Sequence, residues 1–255
     1  MQNDNYTIFN KVWGRKEGVA YINVSGGSRW LEKRIGDVIK RNHLPRTVSK
    51  VIDVGCGDGT RIHNVMKNIP DAYLEGYDFS ETGIEYANEM YASNKAHFFV
   101  GDVTKLKIEK KIDLVTAFGI LEHLENWKEF SDSIMKCGGD GPKYILVYTN
   151  CGKMHKNEVL VGHVRNFKMH EVENYFESKG WHTVDASYGG WPWYDLVLKK
   201  IHYNNANKYL TKISKEPSKL EKIAHNILYF ILRYFCFQDK KGGEFIALFE
   251  NKNML

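Results

Sequence analysis

The chain has 255 residues, 43% of them hydrophobic and 26% charged, and a formal net charge of +5. That length suits one sizeable α/β domain with an elaboration and leaves little room for two, and the composition is that of a globular protein. The four cysteines, Cys56, Cys137, Cys151 and Cys236, are far apart and form no C-x-x-C pair, so neither a zinc site nor a disulfide framework is indicated.

The N-terminus MQNDNYTIFNK lacks the basic and apolar regions of a signal peptide. No apolar run approaches the length that spans a bilayer. The expectation is a cytoplasmic protein with reduced thiols. Residues 200 to 255 hold ten Lys or Arg against five Asp or Glu, which leaves the first 199 residues balanced at 26 against 26. A small surplus confined to the tail, with no Arg-rich stripe, argues against nucleic acid as a partner.

In chain order, residues 1 to 47 carry Tyr6, Trp13, Tyr21 and Trp30 and a Gly26-Gly27-Ser28 segment read as a turn. From residue 48, apolar runs rich in Val, Ile, Tyr and Phe alternate with segments of helical period. The runs predict strands at 49 to 54, 72 to 78, 97 to 100, 112 to 118, 143 to 149, 181 to 186 and 244 to 250. Strands separated by helices imply right-handed crossovers and a mostly parallel sheet, with ligands at the carboxyl ends of the strands. Residues 188 to 242 form an insertion before the last strand. Within it Leu220, Ile223, Ala224, Ile227, Leu228, Ile231 and Phe235 recur at three- and four-residue steps, opposite Lys219, Lys222, Asn226 and Arg233. Such a face can bury against its own sheet, a second subunit or an anionic membrane. Packing within the protein, most commonly as a homodimer interface through 218 to 237, is the expectation, with the membrane set below it.

The first strand ends in VIDVGCGDGT at 51 to 60. Gly55, Gly57 and Gly59, at alternate positions, permit a tight turn with bare main chain against a ligand. A dinucleotide fingerprint reads G-x-G-x-x-G, whereas here the third glycine falls one residue early and Asp53 would repel a pyrophosphate. The D-x-G-x-G-x-G pattern resembles motif I of the class I S-adenosylmethionine (SAM)-dependent methyltransferases. An acid at Asp53 suits the ammonium group of that cofactor.

The resemblance extends residue by residue. GYDFS at 76 to 80 places Asp78 where the family holds both ribose hydroxyls, and Phe79 beside the adenine face. The alternatives are an exposed helix-capping acid and a core aromatic. In GDVTKL, Asp102 matches the acid that accepts from the adenine amino group, with the Val103 backbone completing that edge. In IDLVTAFGILEHL at 112 to 124, Phe118, Gly119 and Ile120 leave the sheet beside the methionine moiety, and Glu122-His123-Leu124 reproduces an E-H-L signature of small-molecule methyltransferases. The resemblance covers residues 48 to 186. It implies a seven-stranded, mostly parallel Rossmann-like sheet whose last strand is antiparallel, with SAM as cofactor. It divides the chain into an N-terminal lid over 1 to 47, a core over 48 to 187, a helical insertion over 188 to 242, and a final strand over 243 to 255.

Methyl transfer from a sulfonium is an in-line displacement, in which a base is needed only when the acceptor must lose a proton. His123, at the mouth of the site, and His163, in GHVRNF, are the candidate bases; His123 opens a helix, where a structural role is the alternative. His163, Arg165 and Phe167 stand in the H-x-R-x-F register that lines the acceptor pocket of similar enzymes. Arg165 suits a phosphate or carboxylate, with a salt bridge to Glu171 or Glu173 as the alternative. SYGGWPWYD at 187 to 195 offers Tyr188, Trp191, Trp193 and Tyr194 as an aromatic wall, or as core and interface residues. Trp13 in the lid, Trp191 and Tyr194 are candidate acceptor contacts.

These features resemble bacterial methyltransferases acting on surface-polysaccharide (capsule) precursors. The resemblance implies an oxygen of a sugar, or of a phosphorylated or nucleotide-activated intermediate, as the acceptor of an enzyme that uses no metal. An N-methyltransferase on an amino sugar or amine, and a non-catalytic SAM-binding scaffold, are the two alternatives.

Overall fold

A computed structural model describes residues 22–105, 108, 110–199 and 217–252. Seven strands form one sheet: β1 (Lys50–Val54), β2 (Tyr73–Asp78), β3 (Ala96–Val100), β4 (Leu114–Phe118), β5 (Tyr144–Asn150), β6 (Trp181–Gly189) and β7 (Glu244–Asn251). Their order is β3-β2-β1-β4-β5-β7-β6. β1 to β5 pair in parallel, while β7 runs antiparallel between β5 and β6. Every residue of β4 and β5 is buried. That burial on both faces explains why these strands read as unbroken apolar runs rather than as alternation.

Helices cover both faces. On one, α1 (Gly26–Arg41), α2 (Thr60–Met66) and α3 (Glu81–Tyr91) bury Leu31, Ile35, Ile39, Ile62, Val65 and Ile84 against Val51, Leu74, Leu114, Leu146 and Leu248. On the other, α4 (Trp127–Ile134) and α6 (Glu171–Ser178), with the short α5 (Lys156–Leu160) between them in sequence, contribute Trp127, Phe130 and Phe176 against Ile52, Val115, Ile145, Val147 and Phe249. Each such side chain contributes about 1.5 to 3 kcal/mol on full burial. The helix starts are set locally. Ser80 Oγ accepts from Gly83 N at 3.1 Å to open α3, and Ser218 with Glu221 forms a capping box for α7 (Lys219–Phe235).

Three expectations change. Gly26-Gly27-Ser28 is not a turn but the first turn of α1, with the Ser25 side chain accepting from Ser28 N. A side chain at Gly26 would come within 2.5 Å of the His225 carbonyl, so glycine there lets the α7 backbone lie directly on α1. Second, the described part of the lid or helical segment, residues 22 to 47, holds α1, which packs into the core layer, while Trp13 lies outside the described residues.

Third, α7 turns a different side inward from the one its period suggests. Leu228, Tyr229, Leu232 and Cys236 pack with Trp30 and Tyr194, while Leu220, Ile223, Ile227 and Phe230 face out, Ile227 with 57% of its surface exposed. The stretch from Ile227 to Leu232 is apolar around the whole helix, so periodicity alone cannot choose the buried side. Hydrogen bonds with α1 do: Arg29 Nη1 donates to Asn226 Oδ1 at 2.6 Å, and Trp30 Nε1 to Gln238 Oε1 at 2.7 Å.

Candidate active site

The strand order reverses between β1 and β4, so these two strands diverge in their onward connections and leave a crevice at their carboxyl ends. The loop that fills its edge is the glycine run. Gly55, Gly57 and Gly59 all take positive φ, at 78°, 57° and 75°, a region only glycine enters without cost. A Cβ on Gly55 would meet Ile120 Cδ1 at 2.5 Å, so bare main chain also lets β4's exit lie against the loop. Asp53, 3% exposed, accepts from the Thr116 hydroxyl on neighbouring β4. Burial pushes its carboxyl up to about 7, against the downward pull of Thr116 and of the Arg61 charge.

Asp78 at the end of β2 is buried, not an exposed cap. Its Oδ2 accepts from Gly57 N at 2.9 Å and its Oδ1 from Ser80 N at 2.8 Å, so one carboxylate fastens the glycine loop to the second strand. Burial raises its pKa despite these bonds. Ser80 performs the helix capping that the sequence allowed for Asp78. Phe79 beside it is half-buried. After β3, Val103 is buried, while the Asp102 carboxylate is exposed and accepts from Thr104 N and Oγ1 at 3.0 and 2.6 Å, with Lys105 Nζ at 2.9 Å. Burial works upward on Asp102, but those hydrogen bonds outweigh it and hold its pKa below the usual value.

At the exit of β4, Phe118 is buried and Gly119 takes a φ of 71°. A Cβ placed on Gly119 would lie 3.5 Å from both Arg61 Nη1 and Glu122 Oε1, and 3.7 Å from the Tyr148 ring. Arg61 was missed in the sequence. It is the second residue of α2, directly after the glycine motif, and its Nε is buried with no hydrogen-bond partner among the described residues. The position just inside a helix that follows a ligand loop is the signal that could have found it. Also missed was the polar floor beside β5, where the Tyr148 hydroxyl donates to Glu244 Oε2 and lies 3.1 Å from Asn150 Oδ1. Glu244 is 1% exposed and pairs with Lys199 Nζ at 3.1 Å. No motif surrounds it.

The two candidate bases meet. The His123 and His163 rings lie 4.7 Å apart, edge to face, although 40 residues separate them. Val164 N and Arg165 N donate to the Glu122 carbonyl, which stitches the 163–165 segment to the end of β4. Burial pulls His123 down to about 4, against the opposing hydrogen bond with the Gly162 backbone, and lowers His163 as well, so the His123 imidazole is neutral at pH 7. Glu122 is buried, its Oε2 accepts from Thr149 Oγ1 at 2.8 Å, and burial raises its pKa.

Arg165 makes neither of the salt bridges weighed for it. Glu171 accepts from Lys168 N and Glu173 from the Tyr188 hydroxyl, while Arg165 Nη2 donates to the Glu125 carbonyl at 2.8 Å. The aromatic wall divides. Tyr188 belongs to β6, which runs three residues beyond its expected end, and its ring packs on Phe245. Tyr194 packs on Trp30 with ring centroids 5.1 Å apart, Trp193 is exposed, and Trp191 lies under Lys241 Nζ at 4.5 Å.

The family described as "Methyltransferase domain" matches residues 47–186. A curated relative, malonyl-[acyl-carrier protein] O-methyltransferase 2 of Ilyobacter polytropus, is 24% identical over 110 residues, 42% of this chain and 40% of that protein. Ubiquinone biosynthesis O-methyltransferase of Rickettsia bellii is 25% identical over 124 residues, 48% of this chain and 50% of that protein. The chain thus spans about two-fifths to one-half of the length of these relatives. Among solved structures, StiE O-MT residues 961–1257 shares the fold with a TM-score of 0.53 at 13% identity, over 88% of this chain and 74% of that one.

Proposed function

The chain belongs to the methyltransferase-domain family, and from that membership we propose that it transfers the methyl group of SAM to a small polar acceptor. The observation that carries this reading is the loop of three left-handed glycines at the sheet's switch point, held shut by Asp78. Asp78 keeps a lone pair to spare after its backbone bonds from Gly57, Phe79 and Ser80 and accepts from the ribose hydroxyls. Phe79, Val103 and Asp102 flank the adenine. Asp53 favours the ammonium, and Arg61, with its unpartnered Nε, takes the methionine carboxylate.

The methyl carbon then faces the exit of β4 at Phe118 and Gly119. An acceptor oxygen attacks in line, the new O–C bond forms as the S–C bond breaks, and the electron pair stays on sulfur as the thioether of S-adenosylhomocysteine (SAH). A hydroxyl acceptor loses its proton at the Glu122–His123–His163 cluster. Arg165 beside it supports an acceptor carrying a negative charge, such as a sugar phosphate or nucleotide-activated sugar of a bacterial surface polysaccharide. The outward apolar residues of α7 support a second copy of the chain as partner. Among the described residues no helix is long and apolar enough to cross a membrane.

Titration calorimetry with SAM, SAH and NAD tests the cofactor assignment. SAM and SAH should bind and NAD should not; preferential binding of NAD would overturn it.

A further inference from the structure

Glu122, His123 and His163 each present a ligand atom, and these atoms lie within 4.8 Å of one another. Ligands that share one ion through bonds of about 2.0 to 2.2 Å sit roughly 3.0 to 3.5 Å apart, so side-chain adjustments of about an ångström close the set. Nothing in the cysteine spacing pointed to metal; the donors here are two imidazoles and a carboxylate. We propose that this cluster binds a single divalent borderline transition ion, Zn²⁺ in preference to Mn²⁺ and Mg²⁺, at the acceptor side of the site.

Three features beyond proximity favour it. The donor set mixes nitrogen with one carboxylate oxygen, which suits borderline transition ions and not the hard, oxygen-seeking Mg²⁺. Each donor is oriented by a second partner. His163 Nδ1 faces Asn166 Oδ1 at 3.5 Å, and Asn166 Nδ2 in turn donates to Glu158 Oε2 at 3.1 Å. The His123 ring bonds the Gly162 backbone, and Glu122 Oε2 takes the Thr149 hydroxyl. Outer partners of this kind fix ligand direction. Finally, Glu122 is buried while both rings remain partly exposed, so the cluster reaches from the interior toward the accessible side, and three protein ligands leave a fourth position to be filled.

The inference rests on the methyltransferase reading for its consequence. An acceptor hydroxyl that takes an open position loses its proton to solvent more readily, as zinc-bound water does, and the imidazoles then hold the ion instead of the proton.

The binding test does not need turnover. Chelator-treated full-length protein is titrated with Zn²⁺, Mn²⁺ and Mg²⁺ by calorimetry, and its Co²⁺ form is examined by visible absorption. The expected result is one Zn²⁺ per chain, Mn²⁺ and Mg²⁺ binding far weaker, and a Co²⁺ spectrum of a protein-ligated ion. His163→Ala should weaken Zn²⁺ binding by at least about 100-fold, and His123→Ala likewise. His182→Ala, at an exposed histidine of β6, should leave it unchanged. Both site variants keep the buried Glu122, and a melting curve on each confirms that it is folded before titration. Zn²⁺ binding that is absent, or equal in His163→Ala and wild type, overturns the proposal. SAM affinity, measured in the same metal-free samples, reports separately on the cofactor reading.

Discussion

Asp78 is where stability and cofactor binding meet, and its replacement gives a prediction with two separable readouts. Its carboxylate, 6% exposed, takes the N–H groups of Gly57 and Ser80, both of which are buried. Asp78→Ala leaves two buried donors unpaired at about 1 to 3 kcal/mol each, so about 2 to 6 kcal/mol, less whatever is regained by no longer burying a carboxylate. For a chain of this size 1 kcal/mol moves the melting temperature by roughly 2 to 4 °C. Without cofactor, Asp78→Ala should therefore melt below wild type, by about 4 °C for a net loss of about 2 kcal/mol at the lower slope.

Asp78→Asn keeps one acceptor oxygen, turns an amide N–H₂ toward the other donor, and should fall between the two. Calorimetry with SAM on Asp78→Asn, which stays folded, should show affinity lower by roughly 10- to 150-fold, the equivalent of about 1.4 to 3 kcal/mol for poorer acceptors at the ribose. A folded Asp78→Asn protein with wild-type melting temperature and wild-type SAM affinity would refute both roles.

With Asp53 near 7 in the free protein, a cofactor ammonium beside it favours the carboxylate, so SAM affinity should fall by up to about tenfold per pH unit below that value; a profile unaltered by Asp53→Asn would contradict the assignment. The raised folded pKa also means that the folded state holds this proton more tightly than the unfolded chain. The Asp53 contribution to ligand-free stability is thus fully present below about pH 4 and is lost as pH rises to about 7, which Asp53→Asn should remove from a melting series. Arg61→Ala should lower SAM affinity by roughly 10- to 100-fold, the loss of a charge-assisted bond, while adenosine alone binds unchanged; equal losses for both would place Arg61 elsewhere. Arg165→Ala should raise the KM for an anionic acceptor with SAM affinity intact, and a lowered melting temperature with unchanged kinetics would make it structural. Ile227→Glu, at an exposed site, should leave monomer stability within about 0.5 kcal/mol and halve the mass seen by light scattering if α7 pairs two copies; an unchanged dimer mass rules that face out.

All seven strands were legible, β4 and β5 because strands buried on both faces read as continuous apolar runs, and β2, β3 and β6, which are only partly buried, because their β-branched and aromatic residues lie between helical segments. The glycine loop was legible for a similar reason, since alternate glycines after a strand have few uses other than positive φ. What escaped was set by distant partners. The buried side of α7 is chosen by Arg29 and Trp30, some 200 residues earlier, and no local period encodes them. Asp78 was read as a ribose acceptor or an exposed helix cap, and its fastening of the glycine loop escaped because its backbone partner Gly57 lies on another strand's loop. Arg61 was signalled only by its place just after the glycine motif, while Glu244 carries no motif and meets Tyr148 only once β5 and β7 are side by side. His123 and His163 were each named as separate candidates, whereas their edge-to-face pairing over Glu122 depends on the 163–165 segment folding back onto the end of β4.

The central claim is transfer of a methyl group, and the most direct measurement follows the label itself. Purified protein incubated with methyl-labelled SAM and, in turn, sugar phosphates, nucleotide sugars, hydroxylated carboxylates and amines should form SAH in step with label appearing on one acceptor class. Anionic hydroxyl compounds should be favoured, and Asp78→Asn should be slowed. A protein that binds SAM yet leaves every acceptor unlabelled, with SAH no higher than in its absence, would contradict the account.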